Sequence, residues 1–173
     1  MTPATRPKEK SLHGRVSAMT SEQTPEQRLA ALGLVLPAPP APGGNYLPSR
    51  QVGSLLFLAG AISSDETGVL TGVVGADRSI EEGRNAARRC ALTQIAVIRQ
   101  ALGSLDRVEQ IVTVNGYVNA VPGFPDSPQV INGASDLLVE VFGDAGRHAR
   151  AAIGVSALPR NAMVEVQMVV AVR

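Results

Sequence analysis

Tryptophan is absent from this 173-residue chain, and three phenylalanines and two tyrosines make up its whole aromatic content. The core must therefore be filled by Ala, Val, Leu and Ile. A basic stripe interleaved with aromatics, on which nucleic-acid bases would stack, has little to be made from. Charge of either sign is also scarce in excess: the formal net charge is +1. Such a chain carries no strong field, so no nucleic-acid partner is expected. A single cysteine, Cys90, excludes an internal disulfide and fits a reducing cytosol. No cysteine–histidine cluster has the spacing of a zinc site, so no metal is expected. No segment approaches the roughly 20 apolar residues of a membrane span. The basic residues near the start (Arg6, Lys8, Lys10, Arg15) precede no apolar run of signal-peptide length. The chain reads as soluble and cytoplasmic, with no membrane partner.

What is there is a composition of 45% hydrophobic and 18% charged residues, enough for one compact domain with a sizeable core. Residues 1–22 are polar and aperiodic and read as a disordered tail, in which Met19 offers an alternative translational start and His13 carries no function. Residues 23–44 read as a short helix and a linker. Thr24-Pro25-Glu26-Gln27 has the pattern of a capped helix start, Gly33 stops it, and Pro37-Ala38-Pro39-Pro40-Ala41-Pro42 is too proline-rich for helix or central strand. The folded domain is expected over 45–173.

Within it, Asn45–Arg50 and Ser54–Ser63 read as strands around Gln51-Val52-Gly53, with Leu55-Leu56-Phe57-Leu58-Ala59 a nearly continuous buried run. Val69–Val74 reads as a short strand after the Asp65-Glu66-Thr67-Gly68 turn. Ser79 and Glu82 form a capping box, and apolar residues at helical spacing (Ala87, Ala91, Ile95, Ile98, Leu102) carry the helix to Gly103. A strand over 106–119 follows. A second helix runs from Ser127 to Phe142 before Gly143, and the last strands cover about 149–156 and 163–172. The resulting β-β-β-α-β-α-β-β order implies an α+β layer fold, a mixed sheet with two helices on one face. The strands are apolar in long runs, so both sheet faces should be buried. Helices of one chain cover one face only, and oligomerisation over the other is expected.

Two charges interrupt the apolar C-terminal strands: Arg150, in Ala149-Arg150-Ala151-Ala152-Ile153, and Glu165, in Met163-Val164-Glu165-Val166. A guanidinium on such a strand suits a carboxylate ligand, because its rigid fork matches two oxygens. An ion pair with Glu165 or a subunit contact would also account for it. His148 lies two residues from Arg150 and so on the same side of an extended strand, where it reads as a surface or interface residue. Cys90 reads as a small buried apolar side chain. Arg84, Arg88, Arg89 and Arg99 read as the solvated side of the first long helix.

Asn45-Tyr46, Leu56-Phe57-Leu58-Ala59-Gly60-Ala61-Ile62, the capped central helix and Ala149-Arg150…Leu158-Pro159…Val164-Glu165-Val166 together resemble the RidA (YjgF-like) family of reactive-intermediate deaminases. The resemblance spans roughly residues 30–173, with Val130–Leu138 fitting the family's second helix more loosely. It implies a chorismate-mutase-like fold, a homotrimer with ligand clefts between subunits, and hydrolysis of enamines or imines bearing a carboxylate to a keto acid and ammonia, with no metal or organic cofactor. Arg150 would clamp the carboxylate of a small metabolite and Glu165 would position or activate water. Tyr46 would close the rim, Asn132 would contribute from the second helix, and Gly60 would keep the backbone close to the ligand.

Three positions depart from the enamine-active pattern. Ala59 stands where Ser is usual, Ala61 replaces a glutamine, and Ala152 stands where Cys is usual. These alanines leave a second reading open, a non-catalytic trimer that binds a carboxylate metabolite. A third, an endoribonuclease or translation inhibitor, follows only from other members of the family.

Overall fold

The computed structural model describes residues 23–173. The tail expected over 1–22, with Met19 and His13, lies outside the described residues. Helix α1, Pro25–Ala31, opens on the expected reciprocal cap. The Thr24 hydroxyl accepts the Gln27 N–H at 3.4 Å, and the Gln27 side-chain oxygen accepts the Thr24 N–H at 3.0 Å. Leu29 is buried with the core, while Glu26 accepts the Leu105 N–H and pairs with Arg99. The helix set apart from the domain by its proline-rich linker is therefore packed into it.

Strands β1, Ser49–Val52, and β2, Leu55–Leu58, form an antiparallel hairpin. Its turn falls at Gly53-Ser54, where Gly53 takes a φ of +58°. The next strand, β3, is Ala61–Ile62, followed by the small hairpin β4, Ser64–Asp65, and β5, Gly68–Val69. Helix α2 runs Ile80–Leu102, strand β6 Val108–Asn119, helix α3 Ser127–Phe142, strand β7 Ala149–Val155 and strand β8 Val164–Val172. Both long helices thus form where the pattern places them. Ser79 and Glu82 close the box at the start of α2, and left-handed Gly103 ends it.

The main sheet has the order β1-β2-β8-β6-β7, with β3 also on β8. Only β6 and β7 are parallel, joined through α3; the other pairs are antiparallel. Helices α2 and α3 lie side by side on one face. They cross closely at Gly133, where a Cβ would overlap the Arg84 carbonyl oxygen. Arg84–Asp136 at 2.6 Å and Arg88–Glu140 at 2.9 Å lace their outer sides.

Four expectations change. The first strand is not Asn45–Arg50 but Ser49–Val52, because Gln51 and Val52 pair with Leu56 and Leu55 and so belong to the hairpin rather than to its turn. Ser54–Ser63 is not one strand. From Phe57 to Ala61 the chain advances four residues while β8 advances three, from Val169 to Val166, which is a β-bulge at Ala59-Gly60. The buried Gln94 of α2 pins it, donating from Nε2 to the Ala59 and Val166 carbonyls at 2.9 and 2.6 Å. Val69–Val74 does not extend as a strand. Gly72, at φ +132°, bends the chain under the Arg78 side chain, leaving isolated bridges from Thr71 to Ala162 and from Val74 to Ala120.

The run Leu55–Leu58 is not buried throughout. Leu56 and Leu58 enter the core while Leu55 and Phe57 stay exposed on the face away from the helices, as does Ile153. Each strand alternates, and one chain covers one face of its sheet.

Candidate active site

Parity along β6 fixes which way each expected site residue points. Val114 is buried under the helices, and Arg150 is its register partner on β7, so Arg150 faces α3. Tyr117, an odd number of residues on, belongs to the open face, and Glu165 is its partner on β8. The two charges therefore leave the sheet on opposite faces. An Arg150–Glu165 ion pair within one chain, one of the readings open from sequence, is excluded by this geometry.

Arg150 is held by helix α3. Its Nη1 donates to Asn132 Oδ1 at 2.8 Å and to Ser135 Oγ at 3.0 Å, and Nη2 donates to the Pro128 carbonyl at 3.4 Å. Asn132 and Ser135 are three apart on the helix and so share the face that meets β7. All three acceptors are neutral, and Arg150 forms no ion pair with any described residue. The guanidinium is thus fixed in orientation while its charge stays uncompensated, the state required of an anion clamp.

His148 stands behind it. Nδ1–H donates to the Gly146 carbonyl at 2.7 Å, so Nε2 accepts the Ser135 hydroxyl at 3.0 Å, leaving that oxygen to accept from Arg150. Burial, helped by the nearby Arg150 charge and opposed by the Gly146 hydrogen bond, lowers its pKa from 6.5. A neutral imidazole is what this chain of hydrogen bonds needs.

Glu165 sits on the other face, beside the bulge. A Cβ at position 60 would overlap its carboxylate, so Gly60 leaves the space in which the end of this side chain lies. The carboxylate is half-buried, and burial raises its pKa above the usual 4.5. Among the described residues it has no hydrogen-bond donor or cationic partner. It lines a cleft of about 470 Å³ with Tyr46, Gly60, Ile62, Pro40 and Arg160. Tyr46 is half-exposed at the rim, its hydroxyl accepting the Gly43 N–H at 3.1 Å and tying the ring to the proline-rich segment. Beneath the strand lies Cys90, whose thiol is fully buried and pushed up by desolvation, inert as a nucleophile.

The expected site residues thus fall into two groups. Arg150 and Asn132 stand on the α3–β7 side; Glu165, Gly60 and Tyr46 line one cleft. Sequence reasoning does not single out Ser135, Gln94 or Arg160. Ser135 could have been found from its i+3 spacing to Asn132. Gln94 could have been found as a polar residue among the apolar positions of α2. Nothing in the sequence marks Arg160. The basic residues of α2 are taken up in surface pairs, Arg84 with Asp136, Arg88 with Glu140, Arg89 with Glu66 and Arg99 with Glu26, and Arg78 just before the helix pairs with Glu82.

The domain is an α+β sheet with one open face, a fixed arginine on the helix side and a half-buried glutamate on the other. Residues 26–172 match the family described as "YjgF/chorismate mutase-like, putative endoribonuclease", and the chain belongs to it. Protein TCP17 of Trypanosoma cruzi is 45% identical over 144 residues, covering 82% of this chain and 90% of that protein. A 2-iminobutanoate/2-iminopropanoate deaminase of Dermatophagoides farinae is 28% identical over 138 residues, covering 79% of this chain and 92% of the relative. A crystal structure described as a "putative endoribonuclease" from Shewanella oneidensis superposes with a TM-score of 0.83 at 38% identity, covering 87% of this chain and all of that one. Among the described residues no helix is long and apolar enough to cross a membrane.

Proposed function

We propose that this protein hydrolyses small imines or enamines bearing a carboxylate, as a homotrimer whose sites join the two faces of neighbouring chains. The observation that carries this reading is Arg150, oriented by three neutral acceptors and with no carboxylate partner among the described residues. Its complement, Glu165 with Tyr46 and Gly60, lies on the opposite face, so a second copy is the natural source of the missing half. The open face, with Leu55, Phe57 and Ile153 uncovered, supports the same assembly. The deaminase relative supports the chemistry.

In this reading Arg150 holds the substrate carboxylate and sets the C=N carbon in front of a water on Glu165. Glu165 takes one proton from the water as its oxygen bonds to that carbon and passes it to the imine nitrogen, giving the neutral carbinolamine. Glu165 then takes the hydroxyl proton as the C–N bond breaks and delivers it to the departing nitrogen, leaving the keto acid, ammonia and an ionised Glu165. A raised carboxyl pKa suits a group that must both accept and return a proton near neutral pH. The test is keto-acid release from enzymatically generated 2-iminopropanoate. Wild type should exceed the uncatalysed rate and Arg150→Ala should fall to it; equal rates for the two would discard the proposal.

A second reading, a carboxylate binder without turnover, is favoured by Ala59 and Ala152, whose side chains offer no hydrogen bond at the bulge or beside Arg150. Under it, small keto acids raise the melting temperature while no imine is consumed. Cleavage of RNA, the activity in the family description, receives no support from the paired basic residues of α2.

A further inference from the structure

The turn between β7 and β8 contains a costly feature that the imine chemistry does not use. Arg160 and Asn161 take consecutive left-handed conformations, φ +58° and +59°, although neither is glycine. Asparagine tolerates this region; arginine, with a long side chain and no local hydrogen bond to offer, does not. The turn is held from several directions. The Asn161 and Ala162 N–H groups donate to the Leu158 and Pro159 carbonyls. The Gly72 N–H donates to the Asn161 carbonyl at 3.1 Å, and Asn119 Nδ2 donates to Asn161 Oδ1 at 3.1 Å. Asn119 is buried and also bonds the Gly72 carbonyl, so the core itself sets the turn. What this over-determined conformation presents is the Arg160 side chain, at the wall of the cleft that holds Glu165, Tyr46 and Gly60. No described carboxylate pairs with it. Strain kept at the edge of a cleft points to use of the group it positions.

We infer that Arg160 forms a second anion subsite in the Glu165 cleft, so that the preferred ligand carries two anionic groups, a carboxylate for Arg150 and a second carboxylate or phosphonate-like group for Arg160. The inference rests on the proposed function for the first anion and adds the substrate class. A carboxylate-bearing imine with one anionic end leaves Arg160 unpaired beside Glu165. A doubly anionic ligand satisfies both guanidinium groups and spans the water-activating carboxylate between them.

The test is calorimetric titration of the full-length protein with glutarate, 3-phosphonopropionate and butyrate at fixed ionic strength. Wild type is expected to bind the better dianion about tenfold tighter than butyrate, the worth of one charge-assisted hydrogen-bonded contact. Comparing glutarate with 3-phosphonopropionate identifies the group Arg160 takes. Arg160→Gly should bring the dianion-to-butyrate ratio toward one. It should also melt at or above the wild-type temperature, because glycine occupies a left-handed position without strain. A merely structural arginine would lower the melting temperature on replacement and leave the ratio. A ratio near one in wild type, or one unchanged by Arg160→Gly, overturns the inference. The proposed function survives that outcome if butyrate binding still depends on Arg150. Failure of every ligand to bind overturns both.

Discussion

The Arg150 and Glu165 regions treat charge in opposite ways. Arg150 is surrounded by acceptors: Asn132, Ser135 and the Pro128 carbonyl fix its plane, and neutral His148 backs Ser135. Glu165 makes no hydrogen bond or ion pair with any described residue, is set against a glycine in a bulge and is partly desolvated. In the proposed function the group that holds an anion is anchored, and the group that exchanges a proton is left unanchored and raised in pKa. Orientation and reactivity are built by different local means.

The largest effect in this comparison is expected from Glu165→Gln. It should lower imine turnover by roughly 10²–10⁴-fold, the usual worth of a positioned base. It should not destabilise the protein near neutral pH. The folded pKa is raised, so the contribution of Glu165 to stability is fully present below its unfolded value of 4.5 and is lost as pH rises through the folded pKa. Above that window the ionised carboxylate disfavours the fold, and the amide should melt at or above wild type in a pH series. A clear loss of melting temperature near neutral pH would mean that Glu165 is a structural partner.

Next is Gly60→Ala, whose methyl group overlaps the Glu165 carboxylate. The flexible end of that side chain can swing aside, so denaturant unfolding should change by about 1 kcal/mol or less, while the displaced acid lowers kcat more than it raises KM. On the anchored side, Asn132→Ala removes one of three acceptors from Arg150 and should raise KM about fivefold, the equivalent of roughly 1 kcal/mol, with kcat less affected. A fall in kcat alone would mean that Arg150 needs no such anchor. The smallest effect concerns His148. Its folded pKa is lowered, so its contribution is present above 6.5 and is lost as pH falls through the folded value. Melting temperature should decline on acidification more steeply in wild type than in His148→Gln, and parallel curves would remove His148 from the network.

The helices were legible because their signals are local. Ser79 with Glu82, and Gly103 at the far end, are chemically complete within a few residues of sequence. The bulge was not legible, because Leu55–Ala59 reads as one apolar run and its interruption depends on Gln94 bonding carbonyls from α2, far along the chain. Arg150 and Glu165 stood out as charges on apolar strands, but their opposite faces follow from a parity difference between Val114 and Tyr117 on a third strand. Register of that kind belongs to the assembled sheet. Arg160 left no trace in sequence because what marks it is a φ angle, which the dipeptide Arg-Asn does not announce.

The split between faces has a genetic consequence. If each site borrows its arginine from one chain and its glutamate from the next, two separately inactive variants, one lacking Arg150 and one lacking Glu165, complement each other when co-assembled. About a quarter of the sites in a randomly mixed ring would receive both intact halves. A cell carrying one allele of each kind would then retain activity that neither allele supplies alone.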